Sequence, residues 1–265
     1  MVTTSFFHAY DLRGVYPGEI GEDEARRVGK AFGTHVGDEV LVGRDARKHG
    51  ETVKGAFVDG VVSTGTDVLD AGTVPTPVVY YGTVELGVDA SAVVTASHNP
   101  PEYTGFKFSK RGAVSMSREG GMAEVQRIYE SGSFEEGDGD LTRVDIVDDY
   151  LGFVEERIEL ESGLDVAVNY GNGVTAEVGG EMLRRLGCDV TEVNAEIDGE
   201  FPNHLPAPTE EEAQEQLREV IDGHDLGVLF DGDGDRAGFM LPDGRYVDED
   251  EMISVFAENC LGRAG

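Results

Sequence analysis

The chain has 265 residues, 39% of them hydrophobic, which is enough to build cores in one large domain or two of ordinary size. It carries 53 Asp and Glu against 21 Lys and Arg, a net charge of −32 that excludes nucleic acid and anionic membrane surfaces as partners. Two cysteines, Cys188 and Cys260, are too few for a disulfide scaffold and lack zinc-type spacing. The acids are spread along the chain and do not form a tail, and sixteen of the basic residues are Arg against five Lys. This pattern predicts a protein from a salt-accumulating cell, where a short Debye length screens the self-repulsion. No apolar run approaches membrane length, and MVTTSFFHAYDLRG at the start has no basic segment leading into an apolar one. A cytoplasmic protein is expected.

In chain order, EVLVGRD (39–45) predicts a strand, 49–65 a helix with a glycine stop, and TDVLDAG (66–72) a second strand. A helix follows, with Thr76 as its N-cap and Pro77 in its first turn. ASAVVTAS (90–97) is a third strand, and GFKFS (105–109) a fourth beyond a polar loop. The polar, glycine-rich stretch 130–145 marks a boundary, and 146–159 a helix leading onward. The order then repeats: strand 164–170, helix 173–187, strand 188–194, helix 209–223, strand 225–230, the loop DGDGDR, and strand 237–241. Residues 246–265 read as one amphipathic helix. The expected fold is α/β: two similar doubly wound, mostly parallel units, plus the first helix of a third. The expected domains are 1–145, 146–243 and 244–265.

Two loops occupy equivalent places, each after the third strand of its unit, where ligands of open α/β sheets gather. In FDGDGDR, alternation along an extended segment turns Asp231, Asp233 and Asp235 the same way, toward one cation. Hard oxygen donors beside a phosphate suit Mg²⁺; the other reading is an acidic turn in an acidic protein. An EF-hand fails, because loop positions six and twelve are Arg236 and Pro242. A haloacid-dehalogenase nucleophile at Asp231 is disfavoured by Asp235 at the fifth position. GNGVTA (171–176), with Glu192 beyond it, outlines a dinucleotide fingerprint, but a tight strand-to-helix turn is the favoured reading. In the first unit's loop, TASHNPPEYTGFKF, Ser97 reads as a nucleophile or as a turn hydroxyl. His98 is its neighbour in an extended loop and so points away from it. Lys107, Arg13 and Arg236 are each a phosphate partner or a solvated surface base.

TASHNPPEYTGFKF resembles the phosphoserine loop of the α-D-phosphohexomutases, the phosphomannomutase/phosphoglucomutase superfamily, and DGDGDR resembles its magnesium loop. AYDLRG (9–14), GRDAR (43–47), VPTPVVYY (74–81), YGNGV (170–174) and DGEFPNHLP (198–206) are similar to its other recurring segments, in the same order. The resemblance implies that Ser97 carries the phosphoryl group and that Asp231, Asp233 and Asp235 hold one Mg²⁺ with the phosphoserine oxygen. It implies that Arg13 and Lys107 handle the hydroxyl proton and developing charge, and that His98, Asn99 and Arg236 line the cleft. The implied reaction interconverts hexose 1-phosphate and hexose 6-phosphate, of mannose or glucose, through a hexose 1,6-bisphosphate that also serves as activator. Thr104 stands where many members have Asn. The family's third-domain Gly-Glu loop and fourth-domain Arg/Ser/Thr loop are not found in this chain, so the mutase is expected in truncated form. The rival expectation is a non-catalytic Mg²⁺ and sugar-phosphate binding module, or half of a split enzyme. Interdomain surface left exposed would favour self-association.

Overall fold

The computed structural model describes residues 4–160 and 162–262. In the first unit, strands β1 (Asp11–Val15), β2 (Glu39–Arg44), β3 (Asp67–Thr73), β4 (Ala90–Val94), β5 (Tyr103–Lys110), β6 (Val114–Ser115) and β7 (Leu141–Arg143) make one sheet. Helices α1 (Glu22–Val36), α2 (Gly50–Val62), α3 (Thr76–Glu85), α4 (Ala123–Ser131) and α5 (Val147–Glu155) cover it. The second unit holds strands β8 (Asp165–Asn169), β9 (Asp189–Val193), β10 (Leu226–Phe230), β11 (Ala237–Met240) and β12 (Tyr246–Val247), with helices α6 (Gly179–Arg185) and α7 (Glu211–Arg218). Helix α8 (Glu249–Gly262) follows. No helix among the described residues is long and apolar enough to cross a membrane.

The sheet orders are β1-β5-β4-β2-β3-β7, with β6 on β5, and β12-β11-β10-β8-β9. In each sheet one strand, β5 or β11, runs against all the others. The segments β5-β4-β2-β3 and β11-β10-β8-β9 repeat one topology, so the expected duplication holds at the level of strand order.

Alternation along β2 explains the layers. Val40 and Val42 pack with Phe32, Phe57, Phe106 and Phe108 on the α1/α2 face, while Leu41 turns to Val78, Val79 and Ile146 on the other. Helices α1 and α2 meet backbone to backbone, because a Cβ on Gly29 would lie 2.0 Å from the Phe57 carbonyl oxygen. Val178 and Met182 of the second unit join the α3/α5 cluster, so the two units share a core.

Several elements differ from the sequence expectation. Strand β1 and helix α1, N-terminal to the first predicted strand, were not foreseen, and neither was α4. In α1 the stripe Ala25, Val28, Phe32 is buried beneath a mostly charged surface, and acids fill the first turn, where they suit the helix dipole. Thr76 is not an N-cap: Pro75 holds that position, with extended backbone (ψ 149°). The helix expected at 173–187 is a 3₁₀ turn, Val174–Glu177, followed by α6. Of the helix expected at 246–265, residues 263–265 lie outside the described residues, and Tyr246 and Val247 pair with β11 before α8 begins. The β11–β12 hairpin therefore crosses position 244.

Candidate active site

β5 organises the first half of the site. It pairs with β4 on one side, placing Lys107 opposite Val93, and with β1 on the other, placing Arg13 opposite Gly105 and Asp11 opposite Lys107. The β4–β5 connection carries Ser97, fully buried and with φ 53°, a left-handed conformation unusual for serine. Thr95 Oγ1 accepts the Ser97 N–H (2.8 Å) and donates to Asp45 Oδ2 (2.7 Å).

The β10–β11 connection brings the aspartates up against this loop. Ser97 Oγ donates to Asp231 Oδ2 at 2.8 Å. The approach is close: a Cβ on Gly232 would lie 2.7 Å from the Ser97 carbonyl oxygen, so the loops fit together only with glycine there. The loop is tightened by the Arg236 N–H donating to Asp231 Oδ1 (3.1 Å). The segment 198–206 supports it from behind, Gly232 N–H donating to the Pro206 carbonyl (3.1 Å).

All nine residues singled out from the sequence come together. Arg13 Nη1 donates to Asn99 Oδ1 at 2.6 Å and is held from behind by Asp11 at 2.7 Å. Lys107 Nζ bridges Asp233 Oδ2 (2.7 Å) and Asp235 Oδ2 (2.5 Å). Arg236 Nη2 reaches His98 Nδ1 (2.6 Å) and Ser97 Oγ (3.3 Å). His98 was expected to point away from Ser97. Instead its Nδ1 lies 3.3 Å from Ser97 Oγ, because the left-handed turn at Ser97 breaks the alternation of an extended chain.

Charge is concentrated here, and the environment divides it. Burial, with Asp233 and Asp235 alongside, pushes the Asp231 carboxyl up to about 7. Burial alone would raise Asp233 as well, but Lys107 and the Thr76 hydroxyl hold it below the usual carboxylate range. Burial works against the Lys107 charge, and the two carboxylates overcome it, holding the ammonium well above an ordinary lysine. Burial and then Arg236, Arg13 and Lys107 push His98 down to about 4. Its ring is thus neutral near pH 7, with Nδ1 accepting from Arg236 and Nε2 carrying the hydrogen.

The aspartate loop fits a hard divalent cation. Carboxylate oxygens of Asp231, Asp233 and Asp235 lie within 4.8 Å of one another, and the first two residues are fully buried. Asp233 Oδ1 is buried with no hydrogen-bond partner, a costly arrangement that a cation among these oxygens would relieve.

Three supporting residues escaped the sequence reading. Thr76 Oγ1 donates to Asp233 Oδ2 (2.6 Å), and its N–H to the Asp233 carbonyl (2.9 Å), which ties α3 to the aspartate loop. Asp45 and Arg47 lie buried beneath the Ser97 loop. The available signal was Asp-x-Arg just past the carboxyl end of β2, the sheet edge where ligands collect. At 171–176 the structure has the tight turn that the sequence reading favoured over a dinucleotide fingerprint. Gly171 (φ 54°) and Asn172 (φ 60°) make the turn, and Gly173 backs onto Gly232. Glu192 is held by the Tyr170 hydroxyl (3.2 Å) and Arg184 (2.8 Å).

Residues 4–136 match the family model described as phosphoglucomutase/phosphomannomutase, alpha/beta/alpha domain I, and residues 148–244 match domain II. A phosphoglucomutase/phosphomannomutase of Thermococcus kodakarensis is 36% identical over 98% of this chain and 60% of its own. A phosphomannomutase/phosphoglucomutase of Pseudomonas aeruginosa is 36% identical over 98% of this chain and 57% of its own. The crystal structure of a phosphoglucomutase/phosphomannomutase family protein from Burkholderia thailandensis superposes with TM-score 0.93 at 37% identity, covering 100% of this chain and 60% of that one. The chain thus spans about three-fifths of the length of the curated relatives it matches.

Proposed function

This chain belongs to the phosphoglucomutase/phosphomannomutase family, and from that premise we propose that it carries the phosphoserine and Mg²⁺ halves of a hexose-phosphate mutase centre. The reaction would interconvert hexose 1-phosphate and hexose 6-phosphate, with mannose or glucose as the sugar. The observation that carries the reading is the hydrogen bond from Ser97 Oγ to Asp231 Oδ2, 2.8 Å, made between loops of two different units.

Phosphoryl transfer needs positioning and charge neutralisation more than covalent machinery. In the first half-reaction a sugar hydroxyl oxygen forms a bond to phosphorus and gives up its proton as the bond from phosphorus to Ser97 Oγ breaks and that oxygen takes up a proton, giving a hexose 1,6-bisphosphate and a free serine hydroxyl. In the second, Ser97 Oγ takes back the other phosphoryl group and the sugar oxygen leaves with a proton. Arg13 and Lys107 are assigned that proton and the charge on the transferring oxygens, while Arg236, His98 and Asn99 line the approach to Ser97. Asp231, Asp233 and Asp235 would hold Mg²⁺, with the phosphoserine oxygen as a further ligand. When bound, the ion neutralises phosphoryl charge beside Ser97. Asp231 and Arg236 fix Ser97 Oγ, and Thr76 with Lys107 fixes the Asp233 carboxylate.

The rival is a binding module or one half of a two-chain enzyme. Ile253 and Phe256 on α8 are 62% and 55% exposed, apolar surface suited to a covering domain or second chain. Conversion of glucose 1-phosphate to glucose 6-phosphate, followed by ³¹P NMR with Mg²⁺ and a trace of glucose 1,6-bisphosphate, decides between them. The mutase reading expects turnover by the gene product that S97A abolishes. Mg²⁺ and hexose-phosphate binding without turnover would establish the rival.

A further inference from the structure

We propose that Arg47 is a positioning residue for Ser97, a role that rests on the reading of Ser97 as the phosphoryl carrier. Ser97 sits in a left-handed conformation, which for a residue with a Cβ persists only where its surroundings impose it. Arg47 imposes it from below. Nη2 donates to the carbonyls of Ser97 (2.8 Å) and Asn99 (2.6 Å), and Nη1 to those of Pro100 (2.7 Å) and Tyr103 (3.1 Å). Nε donates to Asp45 Oδ2 (3.2 Å). All five N–H donors of the guanidinium are therefore engaged, four of them on backbone carbonyls between Ser97 and Tyr103, the first residue of β5.

The rest of the frame closes around it. Asp45 Oδ1 accepts the Arg47 backbone N–H (3.0 Å), and Asp45 Oδ2 accepts the Thr95 hydroxyl, whose oxygen in turn accepts the Ser97 N–H. Both backbone groups of Ser97 thus end on the Asp45–Arg47 pair, which is buried from water. The Phe201 ring of the second unit lies over the guanidinium at 5.2 Å. Backbone pairing between Arg47 and Gly199 brings that ring in, so the clamp is complete only with the two units docked. The side-chain hydrogen bonds of Arg47 go to Asp45 and to backbone carbonyls, while its charge is also felt by Asp233 and Arg13, a charge that R47K retains. The positioning effect passes through the backbone of Ser97, and R47K, which keeps the charge, isolates it.

Lysine offers three donors from a single point and cannot span the four carbonyls. In R47K the loop loses its register and Ser97 Oγ shifts from Asp231. A displacement of about 1 Å at a reacting atom costs on the order of 100-fold in rate. The test is single-turnover phosphorylation of Ser97 by glucose 1,6-bisphosphate, timed by intact mass, with Mg²⁺ affinity measured separately by calorimetry. Wild type, S97A, R47K and T95V are compared. T95V removes the hydrogen bond to the Ser97 N–H at nearly constant volume and covers the case in which R47K does not fold. The proposal expects at least a tenfold slower phosphorylation in T95V, and more in R47K, with Mg²⁺ affinity within twofold of wild type. Phosphorylation at the wild-type rate in a folded variant would overturn it, as would a rate that falls only in step with Mg²⁺ affinity. No phosphate on Ser97 in the wild type would instead remove the reading beneath it.

Discussion

Replacing Lys107 with methionine tests whether the aspartate loop is a charge cluster waiting for a cation. The Lys107 side chain is 15% exposed, and its ammonium sits 2.7 Å from Asp233, whose side chain is fully buried, and 2.5 Å from Asp235, whose side chain is 24% exposed. Methionine keeps the apolar stem and deletes the charge. Breaking a buried pair costs about 3–5 kcal/mol, and the lower figure applies because Asp235 can turn to water while Asp233 keeps the Thr76 hydroxyl. In a chain of this size about 3 kcal/mol corresponds to a fall of roughly 6–12 °C in Tm. Thermal unfolding followed by circular dichroism in EDTA, then across a Mg²⁺ titration, reads both consequences. Saturation to 100 times Kd stabilises by about 2.7 kcal/mol, and K107M should gain more than wild type, because no ammonium competes for Asp233 and Asp235. The gap between the two curves should therefore narrow as Mg²⁺ rises. K107M melting within about 2 °C of wild type in EDTA, or a gap that widens with Mg²⁺, would refute the reasoning.

Further outcomes follow from the same structure. T76V, which removes the hydroxyl from a buried carboxylate, should cost about 1.5–3 kcal/mol in urea unfolding, and T76S should recover most of it. G29A should cost at least about 2 kcal/mol by the same measurement, since its Cβ would lie 2.0 Å from a carbonyl oxygen and α1 must move off α2. With a net charge of −32, Tm should climb steadily from 0.1 to 2 M KCl as the Debye length falls from about 10 Å to below 3 Å; a flat or falling curve would contradict the salt-adapted reading.

The parts of this molecule legible in the sequence are those with a local signature. The alternating strands and their order, the two loops at strand ends and the carboxylate triplet all rest on spacing within a few residues. What stayed hidden depends on contacts across the fold. Thr76 reads as a helix cap beside Pro77, and its true partner, Asp233, lies 157 residues away in the other unit. Nothing in GRDAR shows that the partners of Arg47 are the carbonyls of Ser97 and Asn99, 50 and 52 residues further along the chain. His98 followed the rule for extended chains until the positive φ at Ser97 reversed it. Residues 246–247 read as the start of the last amphipathic helix, whereas the edge of β11 offered them a strand partner. The dinucleotide outline at 171–176 shows the converse, a pattern whose glycines pack against another loop.

The central claim is that Ser97 and the aspartate loop form one phosphoryl-transfer centre. Its most direct measurement is intact mass with phosphopeptide mapping of the protein in Mg²⁺ and molar KCl, before and after glucose 1,6-bisphosphate and then after excess glucose 1-phosphate. The account predicts one phosphate on Ser97 that the bisphosphate adds and the monophosphate removes, absent from S97A, with neither transfer occurring when EDTA replaces Mg²⁺. A Ser97 that stays unmodified under every condition, or a phosphate that maps to another residue, would contradict it.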